Sequence, residues 1–155
     1  MFCYILDSSD LIRIKIHDIE KNTKYKSFTC LPLIPENSFN PFDKKTSILP
    51  SVEQWLKSFA DAELVIADSF HGMVFSIIYN KPFWIVGNTQ RGYSRFTSLL
   101  KIFKLEHRLV SINDLNKIDL DSRIDWDFVN QTIRTFKNNS LAFLERAVNY
   151  ENITD

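Results

Sequence analysis

Glycine is scarce in this chain: three in 155 residues, at positions 72, 87 and 92. No G-x-G-x-x-G fingerprint and no P-loop can be written with them, which argues against a nicotinamide dinucleotide or a Walker-type triphosphate as ligand. Cysteine is scarcer still. Cys3 and Cys30 are too few and too far apart for a disulfide framework or a zinc site, and both read as buried thiols. The three histidines, His17, His71 and His107, lack metal-ligand spacing, so no metal is expected. No apolar run approaches the roughly 20 residues of a membrane-spanning helix. The opening MFCYILDSSD has neither a basic n-region nor a cleavage site and is not read as a signal peptide, which leaves the cytoplasm as the expected compartment. Charge of one sign is missing too. Nineteen basic side chains balance nineteen acidic ones, so no net field draws the chain to nucleic acid or to an anionic membrane.

What the chain has in plenty is aromatic: thirteen Phe, five Tyr and three Trp, 14% of residues. That is enough for a large core, or for a domain that also presents a face to a partner. The apolar pattern alternates short β-branched runs with helical periods. Residues 2–6 suggest a strand, 9–21 a helical or irregular segment, and 26–34 a second strand closed by Pro32 and Pro35. Residues 35–50 read as a long loop rich in proline and turn formers. A helix opens at Ser51, with Gln54 in the capping-box position and an apolar stripe of Val52, Trp55, Leu56 and Phe59. A strand over 64–67, a helix over 70–79, a strand over 82–86, a loop through GNTQRGY and a helix over 94–105 follow. A short strand at 109–110, a turn through SINDLNK and a last helix over 125–148 complete the chain. In that helix Trp126, Val129, Ile133, Phe136, Phe143 and Ala147 share one face. Alternation of this kind predicts an α/β fold, a Rossmann-like parallel sheet flanked by helices, with residues 1–155 as a single domain.

In such a sheet, ligands gather at the carboxyl edge, where strands end and helices begin. The junction Asp68-Ser69-Phe70-His71-Gly72 falls there. The first turn of a helix leaves backbone N–H groups free, and its dipole favours an anion. Ser69 is either a plain N-cap or a ligand contact. Gly72 either lets an anion approach the backbone or lets the helix pack tightly on a strand. Asp68 caps the helix or pairs with a neighbouring base, and His71 is a packed surface residue or a titratable group aimed at a ligand. The next junction, VGNTQRGYSR, carries Arg91 and Arg95, and guanidinium groups suit carboxylate and phosphate. Two neighbouring junctions, one with histidine and one with arginines, predict an anion pocket on one edge of the sheet. Ser69 and His71 do not form a hydrolase dyad, since no nucleophile elbow surrounds them.

The stretch over residues 51–110 resembles the carboxy-terminal half of polysaccharide pyruvyl transferases. Val52-Glu53 with Trp55-Leu56, the Asp68–Gly72 junction, the Phe75 helix, Lys81-Pro82-Phe83, Arg91-Gly92 with Ser94-Arg95, and LLKIFKLEHR carry the resemblance. Residues 1–50 and 111–155 follow only in order of elements. The resemblance implies the carboxy-terminal, donor-binding domain of a glycosyltransferase-B-like fold of two Rossmann-like domains. It implies transfer of a pyruvyl group from phosphoenolpyruvate to sugar hydroxyls of a polysaccharide or its lipid-linked precursor, forming a pyruvate ketal. No cofactor is implied beyond phosphoenolpyruvate as donor substrate. His71 is then the expected catalytic residue, and Ser69, Phe70, Gly72, Arg91, Ser94 and Arg95 the donor-binding set. The amino-terminal acceptor domain of the family is absent from this sequence, so the chain alone is expected to be inactive in transfer. Two other readings use the same scaffold: half of a nucleotide-sugar glycosyltransferase, with Asp68 or Glu106 gripping a ribose, and a non-catalytic anion-binding or interaction module.

Overall fold

A computed structural model of the chain describes residues 1–7, 9–31, 50–87 and 92–151. Four parallel strands, β1 (Phe2–Tyr4), β2 (Val65–Ala67), β3 (Phe83–Val86) and β4 (Leu109–Val110), lie side by side in chain order. The register sets Phe2 against Val65, Val65 against Phe83, and Ile85 against Leu109. The helices are α1 (Asp10–Asn22), α2 (Val52–Asp61), α3 (Phe70–Ile78), α4 (Tyr93–Phe103) and α5 (Trp126–Glu151). This is the Rossmann-like α/β sheet that the sequence predicts. Among the described residues no helix is long and apolar enough to cross a membrane.

The strands are apolar at every position because both faces of the sheet are covered. Alternate side chains enter two cores. Phe2, Val65, Ala67, Phe83 and Ile85 meet Phe59 of α2, Met73 and Ile77 of α3, and Phe96 and Leu100 of α4. Cys3, Ile66, Trp84 and Val86 point the other way, onto Ile12 and Ile19 of α1 and Leu115. Leu115 belongs to a 3-10 helix, Ile112–Lys117, where the sequence suggests a turn. The start of α2 is as expected: Ser51 Oγ accepts the Gln54 N–H at 3.2 Å and Gln54 Oε1 accepts the Ser51 N–H at 3.2 Å.

Three expectations change. Residues 26–31 form no strand; Phe28 makes a single parallel bridge to Phe2 at the free edge of β1. Among the described residues the hydrogen bonding with β1 is confined to the Phe28 N–H on the Met1 carbonyl at 3.0 Å, the Cys3 N–H on the Phe28 carbonyl at 2.9 Å and the terminal amine on the Lys26 carbonyl at 2.8 Å. The N–H groups of Ser27 and Leu31 go to Glu20 Oε1 at 2.6 Å and Thr29 Oγ1 at 3.1 Å. Residues 32–34, and the loop 35–49, lie outside the described residues. Cys30 is half-buried, whereas Cys3 is buried. In α5 the apolar stripe outruns the body it packs on. Val129 is buried and Trp126 and Ile133 pack on the core, while Phe136 and Phe143 are 53% and 64% exposed and Ala147 is exposed.

Candidate functional site

All four strands point their carboxyl ends at one edge, so the loops that follow them converge. They enclose a cleft of about 600 Å³. Leu6, Asp7 and Ser9 come from the passage between β1 and α1, and Asp68, Ser69, Phe70 and His71 from the junction between β2 and α3. Val86 and Gly87 follow β3, Arg95 and Phe96 open α4, and Ser111 and Ile112 follow β4.

Each residue of the Asp68–Gly72 junction has a separate task. Asp68 reaches across to the first loop, where its Oδ1 accepts the Leu6 N–H at 2.8 Å and its Oδ2 the Asp7 N–H at 2.7 Å. Burial pushes its pKa up from the ordinary aspartate value, against the two N–H groups that favour the carboxylate. Ser69 is buried and extended, and its Oγ caps α3 by accepting the Gly72 N–H at 2.9 Å. Phe70 is half-buried, and the Arg95 guanidinium carbon stands 5.6 Å from its ring centroid, within cation–π range. His71 is exposed on the wall of the cleft, its ring 6.3 Å from that of Phe70. Gly72 turns away from the cleft, toward β2: a Cβ there would lie 2.6 Å from Ala67 Cβ.

Arg95 sits in the first turn of α4, its N–H on the Gly92 carbonyl at 3.0 Å. Gly92 is left-handed, at φ 63°, and its side-chain position is filled by the arginine, with Nη2 2.6 Å from where a Cβ would be. Glycine meets the left-handed conformation without strain, and a larger residue would also have to move the arginine side chain. Ser94 is exposed and does not line the cleft. Arg91 lies outside the described residues, as do residues 88–90. Of the residues singled out in the sequence, Ser69, Phe70, His71 and Arg95 are therefore brought together at the cleft. Gly72 stands behind them, and Ser94 beside them.

The helix starts and Arg95 favour an anion, against the carboxylates of Asp7 and Asp68 that also line the cleft. Helices α1 and α3 both begin at the cleft, at Ser9 and Ser69, and helix N-termini attract negative charge. Arg95, exposed at the rim, supplies a guanidinium, and His71 an imidazole on the wall. Among the described residues no group of three or more His, Cys, Asp or Glu side chains could hold a metal ion. Sequence reasoning missed Asp7, Ser9 and Ser111. Their position after parallel strands was the available signal, because every such strand end shares the same edge.

A family model described as polysaccharide pyruvyl transferase matches residues 2–90, more than half of the chain, from β1 through β3. The match includes the Asp68–Gly72 junction and ends before Arg95. No curated protein matches, and no solved structure does.

Proposed function

The chain belongs to the polysaccharide pyruvyl transferase family, and from that membership we propose that its cleft holds phosphoenolpyruvate as donor of a pyruvyl group to sugar hydroxyls. The observation that carries the reading is the convergence of two helix N-termini, Arg95 and His71 on one cleft. Phosphoenolpyruvate carries a carboxylate and a phosphate, and each needs N–H groups or a guanidinium in place of water. Arg95, steadied over Phe70, takes one anionic group. The start of α3 takes the other.

The reaction requires a proton at the methylene carbon and addition of a sugar oxygen at the neighbouring carbon. Departure of phosphate and addition of a second hydroxyl then close the ketal. Of the two hydroxyl protons, one ends on the new methyl group and the other on phosphate. In this reading His71 is the general acid, or it stabilises the departing phosphate. Asp68 is already committed to two backbone N–H groups, which leaves it poorly placed to grip a ribose and favours this reading over a nucleotide-sugar donor. The test is turnover of His71→Ala in pyruvyl transfer from phosphoenolpyruvate. A fall of about 10²–10⁴-fold is expected for loss of an acid–base group; undiminished turnover would remove His71 from the chemistry.

A further inference from the structure

We propose that Asp68 is the positioning residue of this cleft: its carboxylate holds the loop carrying Asp7 and Ser9 in fixed relation to the start of α3, which carries His71. Strands β1 and β2 are paired as far as Tyr4 and Ala67. After a last contact, the Asp68 N–H to the Tyr4 carbonyl at 3.4 Å, the two strands diverge, β1 into the turn toward α1 and β2 into α3. The carboxylate of Asp68 spans the gap, one oxygen on Leu6 and the other on Asp7, at 2.8 and 2.7 Å. Ser69, the next residue, fixes α3 through its cap on Gly72. Two adjacent side chains thus set both walls, Asp68 the far one and Ser69 the near one. Ligand contact is not part of the role; Asp68 acts through the loop that it holds.

The latch rests on geometry alone, while its bearing on phosphoenolpyruvate rests on the donor reading above. The experiment compares wild type, Asp68→Asn, Asp68→Glu and Ser51→Ala, the last a loss of cap in α2. Amide hydrogen exchange and phosphoenolpyruvate titrations followed at the Ser69–Gly72 amides are recorded for each. In Asp68→Asn, Leu6 and Asp7 should exchange about tenfold faster or more, as expected for loss of charge-assisted hydrogen bonds, with β2 and β3 at wild-type rates. Phosphoenolpyruvate should bind about tenfold more weakly, an effect that Ser51→Ala should not share even if it costs more stability. Asp68→Glu keeps the charge and should recover part of both losses; if Asp68→Asn does not fold, Glu carries the comparison with wild type. Unchanged exchange at Leu6 and Asp7 would overturn the latch. Faster exchange with unchanged affinity would overturn the positioning role. If the wild type binds no phosphoenolpyruvate, the donor reading falls and the exchange rates alone decide the latch.

Discussion

Replacing Gly72 by alanine separates two physical expectations of opposite sign. By helix propensity alone the change should stabilise α3 by up to about 1 kcal/mol. The packing says otherwise. A Cβ at position 72 would stand 2.6 Å from Ala67 Cβ, 3.0 Å from Ser69 Oγ and 3.3 Å from Tyr4 Cδ1. Carbon atoms pack best at about 3.5–4.0 Å, so the first contact is short by roughly 1 Å. Ala67 is fully buried in β2, in the middle of the sheet, and its Cβ cannot rotate away. Relief has to come from lifting α3 off the strand, an overpacking cost of about 1–3 kcal/mol. A contact this short against a rigid atom belongs in the upper half of that range. Offset by propensity, the net is a loss of about 1–2 kcal/mol, or about 2–8 °C in Tm for a domain of this size. Urea unfolding of Gly72→Ala, Ala67→Gly and the double variant measures it. The double variant should recover about 1 kcal/mol relative to the sum of the single changes. A neutral or stabilised Gly72→Ala, or additivity within about 0.5 kcal/mol, would refute the packing argument.

Three further expectations follow from groups away from the cleft. Arg108 is 1% exposed, with Nη2 donating to the Ser122 carbonyl at 2.8 Å and to Ser122 Oγ at 3.0 Å while its guanidinium lies 4.8 Å from the Trp84 ring centre. A lysine cannot keep the Nη2 contacts to Ser122, the Nε bond to His107 Nε2 at 3.2 Å and the cation–π contact together, so Arg108→Lys should cost about 1–3 kcal/mol in urea unfolding; a neutral result would show that these contacts are dispensable. Burial pushes the Cys3 thiol up to about 12, whereas Cys30 is only half-buried. Iodoacetamide near pH 8 should label Cys30 well before Cys3, and equal rates would contradict that burial. Glu20 accepts the Ser27 N–H, which holds its carboxyl below the usual 4.5. With a folded pKa below the unfolded one, the unfolded chain binds more protons in that window, so stability is lost as pH falls through it. The advantage of wild type over Glu20→Gln should shrink in acid; a difference that is flat with pH would deny the hydrogen bond.

Much of this fold was legible because its signals are local. The Ser51–Gln54 box, the apolar run into β2 and even the short strand at Leu109–Val110 are written within a few residues of themselves. The failures share a different cause. Phe28 lies in an apolar run that reads as a strand, yet its pairing with β1 stays a single bridge, set by contacts more than twenty residues away in sequence. The length of the α5 stripe says nothing of where its cover ends, and Phe136 and Phe143 remain exposed. At the site, Ser69 could be read as a cap from sequence, but the partners of Asp68 lie 62 and 61 residues away. Gly72 was ambiguous for the same reason: only the position of Ala67 across the helix–strand contact shows which of its two uses applies.

The central claim is that the cleft holds phosphoenolpyruvate, and the most direct measurement is an amide and imidazole NMR titration of this chain with that compound. Inorganic phosphate and UDP serve as controls. The expected result is saturable shifts at Ser69–Gly72 and Arg95 with phosphoenolpyruvate, weaker ones with phosphate and none with UDP. Shifts of the same residues by UDP in place of phosphoenolpyruvate, or no response to phosphoenolpyruvate at all, would contradict it.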